Sequence, residues 1–187
     1  EPQYEEVVLK NLIDDIRGRG NAVTAGDIGY RYVVQTLQDR GASDVLFDMN
    51  SRYDVPGYGY QIAMGETALA ESWQSRDYLS HNHCMLGHLY SWLFSGIGGI
   101  SQESGSTAYK RIVIDPQIVG DLRDARVSFR SPYGLIRSEW KDAPDEFVQT
   151  IEIPANATAR ICLPATDPAK VTESGKPVSG RKDMAVE

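Results

Sequence analysis

Apolar residues recur with a helical period through the first hundred residues and with a period of two afterwards. From Tyr4 to Arg17 the residues Val8, Leu9, Leu12, Ile13 and Ile16 fall three and four apart, and Gly18 and Gly20 end the run. That spacing predicts an amphipathic helix. Thr24 and Asp27, three apart as in a capping box, open a second helix with Tyr30, Val33, Val34 and Leu37 on one side and Gly41 at its close. Ser43 is expected to cap a short helix through Val45, Leu46 and Met49. Pro56-Gly57 and Gly59 mark a turn, and a further helical stretch is expected from Tyr60 to Trp73. A last helix is carried by Met85, Leu89, Trp92 and Leu93, and the glycines from Gly96 onward end it. Helices with one apolar face, joined by short loops, bury those faces against neighbours, the pattern of half a helical barrel.

Ser101 to Ser106 reads as a Ser/Gly-rich linker, after which Ile112 and Ile114, Val127 and Phe129, Leu135 to Trp140, Val148 and Ile151, and Ala159, Ile161 and Leu163 mark strands. Between them lie Ser131-Pro132-Tyr133-Gly134, Asp142-Ala143-Pro144-Asp145 and Pro154-Ala155-Asn156, turns that predict antiparallel hairpins and a β-sandwich. The tail from Pro168 is polar, with an edge hairpin expected around Ser174-Gly175. The fold class is α plus β: residues 1–100 form a helical part and residues 101–187 an antiparallel β-sandwich.

A content of 41% hydrophobic and 24% charged residues is that of a globular protein, and the net charge of −7 with no basic stripe disfavours nucleic acid as a partner. No apolar run reaches the roughly 20 residues that span a bilayer. Cys84 and Cys162 lack metal or redox spacing and are expected to be buried free thiols, so they give no compartment. Glu1 in place of an initiating Met leads us to expect that the chain starts inside a longer polypeptide.

The chemistry concentrates between Pro56 and His88, where carboxylates, aromatics and all three histidines lie. Sugar sites use this kit: carboxylates move protons, aromatic faces stack on rings and imidazoles bond hydroxyls. His81-Asn82-His83-Cys84 invites a zinc reading, but no second cluster has ligand spacing, so no metal or other cofactor is expected. His88 is expected to pack beside Trp92, and Asp48 and Asp54 to be solvated or capping.

Taken in order, Gly20-Asn21, Thr24-Ala25-Gly26-Asp27-Ile28-Gly29-Tyr30, Tyr53-Asp54-Val55-Pro56-Gly57-Tyr58-Gly59-Tyr60, Gly65 to Trp73 and Ser80-His81-Asn82-His83 resemble the closing helical segments of bacterial α-L-rhamnosidases. The β region continues the likeness through Tyr109 to Gln117, Ser131 to Trp140 and Ile153 to Ala159. The resemblance implies the terminal hairpins of an (α/α) barrel, a catalytic domain of six helical hairpins, followed by a C-terminal β-sandwich. It also implies cleavage of terminal α-L-rhamnose with inversion. Glu71-Ser72-Trp73 matches the motif whose carboxylate is the general base, and His83 matches a sugar-contacting histidine; Tyr58 and Trp73 complete the substrate-binding set. Tyr58 stands where many members have Trp.

Inversion divides the work between two carboxyl groups about 6.5–9.5 Å apart. In the family the general acid lies in a loop upstream of this region, and nothing between Glu1 and Gly65 matches it. The partners implied are therefore a rhamnose-containing substrate and the upstream remainder of the polypeptide. Without that remainder, the faces carrying Leu12, Val34 and Leu46 are expected to meet solvent, and the sandwich to be the better-ordered half. The competing reading is a non-catalytic carbohydrate-binding or structural module in which Tyr58, Trp73 and His83 only bind sugar.

Overall fold

The structure, a computed structural model, describes residues 2–179 and 181. Helix α1 runs Glu5–Gly18 after a short 3-10 turn at Pro2–Tyr4. Glu5 and Glu6 in its first turn and Arg17 in its last complement the helix dipole. Helix α2 (Asp27–Asp39) buries Tyr30, Val34 and Leu37, and its C-terminus closes as a Schellman turn. The Ala42 N–H bonds Leu37 O at 2.8 Å and the Gly41 N–H bonds Gln38 O at 3.1 Å. Gly41 sits at φ +70, where a side chain would be strained. Helices α3 (Ser43–Asn50), α4 (Tyr58–Ala63) and α5 (Leu89–Trp92) follow, the last continued by a π turn at Leu93–Ile97.

Neither expected N-cap forms. Gly26 is the cap of α2, and the Asp27 carboxylate accepts only the adjacent Ile28 N–H. Ser43 is the first residue of α3 and is buried: its hydroxyl donates to Gln117 Oε1 and accepts from Trp92 Nε1 at 2.7 Å. A side chain committed to tertiary partners is not available to its own helix terminus. The helix expected from Tyr60 to Trp73 stops at Ala63, so Glu71 lies on a loop.

The helical core gathers Val23, Tyr30, Val34, Leu37, Val45, Leu46, Met49, Trp73, Leu86 and Trp92, with Leu9, Leu12 and Ile13 packed against it. Val34 and Leu46 are thus buried within the chain, contrary to the expectation that they face solvent. The large apolar residues left exposed on the helices are others: Val7, Val8, Ile28, Tyr32, Ile62 and Tyr90. No barrel closes among the described residues.

Two three-stranded sheets make the second half. One has the order β1-β2-β6, from Ile100–Gln102, Arg111–Ile114 and Thr158–Ile161; the other is the antiparallel meander β3-β4-β5, from Asp124–Ser131, Gly134–Ala143 and Glu146–Glu152. Ile100, Ile112, Ile114 and Ile136 form the core between them, with Val127, Phe129 and Ile151 around it. Ser101 and Gln102 belong to β1 rather than to a linker. The Pro154–Ala157 turn carries the chain from one sheet to the other, so β6 lies parallel to β2 and makes no hairpin with β5. Cys84 is exposed and Cys162 half-buried, so neither is a buried thiol. The edge hairpin forms from β7 (Thr172–Glu173) and β8 (Lys176–Pro177).

The halves share packing. Trp140 of β4 belongs to the helical core and donates its indole N–H to Ile97 O at 2.8 Å. Gln117, in the loop before β3, donates to Gln38 O at 3.1 Å.

Candidate active site

The residues after α4 fold back on themselves. Glu71 N–H bonds Ser80 O at 2.8 Å and His83 N–H bonds Leu69 O at 2.7 Å, so Leu69–Glu71 runs alongside Ser80–His83. This brings the acidic and imidazole motifs, twelve positions apart in sequence, to one place. The Glu71 carboxylate accepts the Ser80 N–H at 3.1 Å and is otherwise exposed. From α4, the Gln61 amide reaches into the same loop: its Oε1 accepts the Ala70 N–H at 3.3 Å and its Nε2 donates to Ser72 O at 3.1 Å.

Glu71, Trp73 and His83 line one cleft of about 420 Å³. Val23, Thr24, Gly26 and Asp27 from the α1–α2 connection, with Pro56 and Leu86, form the remaining wall. The Val23 N–H bonds Pro56 O at 2.8 Å and holds that wall to the turn before α4. His83 is half-buried, and its Nδ1 is enclosed with no hydrogen-bond partner among the described residues.

Trp73 is nearly enclosed. Its indole N–H donates to Ala25 O at 2.7 Å, and its ring meets Tyr30 and Tyr58 edge-on, with centroids 4.9 and 5.1 Å apart. Tyr58 lies behind it, outside the lining of the cleft, its hydroxyl donating to Leu86 O. Burial pushes its phenol up to about 12, with the Leu89 backbone pulling the other way. Tyr30, deeper still, is raised further by burial and by Tyr58, against a lowering bond to Asn50.

The other carboxylates weighed from sequence are engaged elsewhere. Asp48 pairs with Arg17, Asp54 with Arg52 at 2.6 Å, and Glu66 with His81 at 2.7 Å. None of the three lines the cleft. Asp27 does, and sequence reasoning passed over it because the Thr24/Asp27 spacing reads as a cap. Among the described residues no group of three or more His, Cys, Asp or Glu is placed to hold a metal ion, and no helix is long and apolar enough to cross a membrane.

Residues 1–97 match the bacterial alpha-L-rhamnosidase 6 hairpin glycosidase domain, and residues 99–177 the bacterial alpha-L-rhamnosidase C-terminal domain. The chain belongs to the bacterial α-L-rhamnosidase family. An alpha-L-rhamnosidase of Streptomyces avermitilis is 30% identical over 169 residues, 86% of this chain and 16% of that protein. The crystal structure of a Streptomyces avermitilis α-L-rhamnosidase complexed with L-rhamnose superposes on 82% of this chain with a TM-score of 0.76 and 29% identity, and is covered over 16% of its own length. The α-L-rhamnosidase from Dictyoglumus thermophilum gives a TM-score of 0.83 and 26% identity over 96% of this chain and 21% of that one. The chain therefore spans about a sixth to a fifth of these relatives.

Proposed function

We propose that the polypeptide containing this chain hydrolyses terminal α-L-rhamnose from glycosides or polysaccharides with inversion, and that Glu71 is the general base that takes a proton from the attacking water. The observation that carries this reading is the convergence of Glu71, Trp73 and His83 on one cleft. A relative solved with L-rhamnose, similar over most of this chain, supports the choice of sugar. His83 offers the sugar an imidazole edge, and Trp73 an apolar wall. Tyr58 acts on the substrate through Trp73, whose ring it backs. We place the closing hairpins of the catalytic domain at residues 1–100 and the sandwich domain at 101–187.

The general acid comes from the remainder of the polypeptide. Asp48 and Asp54 are paired with arginines and Glu66 is hydrogen-bonded to His81, all outside the lining of the cleft, which supports that assignment. A base held ionised at working pH cannot itself protonate the departing oxygen. The test is Glu71→Gln in the full-length protein with an aryl α-L-rhamnoside. Loss of a positioned base lowers kcat by about 10²–10⁴-fold while substrate still binds. Turnover at the wild-type rate would remove Glu71 from the reaction and leave a sugar-binding module.

A further inference from the structure

We infer that Gln61 is a positioning residue that fixes the direction of Glu71, an inference that rests on the reading of Glu71 as the base. Gln61 is 3% exposed, and a buried amide is retained where its bonds are made. Its bonds go to the backbone of the two residues that flank Glu71: Oε1 takes the Ala70 N–H and Nε2 gives to Ser72 O. The Glu71 N–H points the other way, to Ser80 O, so the base is gripped from both sides. The Gln61 carbonyl also accepts the Glu66 N–H at 3.0 Å, so one residue secures the loop where it leaves α4 and again where it presents the carboxylate.

A neutral amide is the side chain that offers an acceptor and a donor side by side. A carboxylate only accepts, and an aliphatic chain does neither. The cleft is lined largely by loops, and loop sites hold geometry less tightly than helices or strands. A base displaced by about 1 Å costs on the order of 10²-fold, so the link from α4 to Glu71 bears on kcat more than on substrate binding.

The experiment uses the full-length protein and an aryl α-L-rhamnoside, with azide as a probe. Azide is an anion that needs no base: its nitrogen bonds to the anomeric carbon as the glycosidic C–O bond breaks, the aglycone leaves with the acid's proton, and an inverted glycosyl azide forms. Gln61→Met keeps the length of the side chain and removes both bonds. Its kcat is expected to fall by about 10–100-fold with KM changed little, and azide should restore turnover in Glu71→Gly and equally in Glu71→Gly combined with Gln61→Met, where no carboxylate is left to position. Gln61→Asn, which withdraws the amide by one methylene, is read the same way should the Met variant not fold. Wild-type kcat in the Gln61 variants, or an azide-rescued rate in Glu71→Gly that falls further when Gln61→Met is added, overturns the inference. Full turnover in Glu71→Gly without azide sinks the underlying base assignment instead.

Discussion

Replacing Trp73 by phenylalanine separates two jobs of one indole. The N–H donates to Ala25 O at 2.7 Å, while the ring meets Tyr30 and Tyr58 edge-on. Phenylalanine keeps much of the edge contact, worth about 0.5–1.5 kcal/mol per aromatic pair, and deletes the donor. Ala25 lies between Thr24 and Gly26 in the cleft wall, and leaving its carbonyl without a partner costs about 1–3 kcal/mol. Since 1.4 kcal/mol is a factor of ten in an equilibrium, exchange of backbone amides through local opening should quicken about 5- to 150-fold. The effect should be confined to the segments around Val23–Asp27 and Glu71–Gln74 in the full-length protein, read by hydrogen exchange and mass spectrometry. KM for the rhamnoside should rise in step, because the wall that loosens is the wall of the cleft. Unchanged exchange together with a raised KM would refute the reasoning: the indole N–H would then be serving the sugar, not Ala25.

Gly59→Ala should destabilise the protein by about 1–3 kcal/mol or more and lower kcat, seen in thermal unfolding and steady-state kinetics. A Cβ there would lie 2.1 Å from Arg52 O, so α4, which carries Tyr58 and Gln61, has to move. Because burial raises the Tyr58 phenol from 10.0 to about 12, its contribution to stability is whole below pH 10 and is lost as pH climbs to about 12. Tyr58→Phe should flatten that fall in urea unfolding across this range, leaving the part that belongs to Tyr30. Produced alone, the 187-residue chain should hydrolyse no aryl rhamnoside; activity abolished by Glu71→Gln would place the acid within it, with Asp27 the first to mutate.

Helices α1 and α2 could be read from sequence because their apolar faces repeat over three or more turns and end in glycines with a structural job, as at Gly41. The stretch after Ala63 misled for a physical reason. Leu69, Ala70 and Trp73 keep helical spacing, but this backbone finds its partners elsewhere, in Ser80 O, the His83 N–H and the Gln61 amide. Those bonds form between segments, and periodicity is blind to them. The same holds for Thr24, Asp27 and Ser43, whose spacing fits caps and whose positions are set by the cleft wall and the core. Strand positions followed the alternation in β3, β4 and β5, whereas Leu163 lies beyond the end of β6 and the parallel placement of β6 was not foreseen, since a turn motif carries no record of which sheet the next strand joins. Glu71, Trp73 and His83 were reachable through family motifs and Gln61 was not, because its value lies in two bonds to backbone.

The two sheets do not bury each other completely, because the inner face of the β3-β4-β5 sheet is shared with the helices. Successive inward residues of β4 are Ile136, Ser138 and Trp140; the first packs in the core between the sheets and the last in the helical core. Register sets Ala125 opposite Trp140 and Ile151 opposite Ser138, so the division runs across the whole sheet. Ala125 and Phe147 join Trp140 against the helices, while Phe129 and Ile151 stay with Ile136. The Ser138 hydroxyl and the Gln149 side-chain amide lie on the seam, enclosed and without protein hydrogen bonds among the described residues. A sheet whose inner face is divided in this way cannot be stripped of its helices without exposing a tryptophan and freeing the Ile97 carbonyl. Ile97 closes the π turn that continues α5, and Trp92 of α5 bonds Ser43 at the start of α3. The sandwich thus buttresses the helices on which the cleft is built, and a site assembled largely from loops is held by elements far from the chemistry.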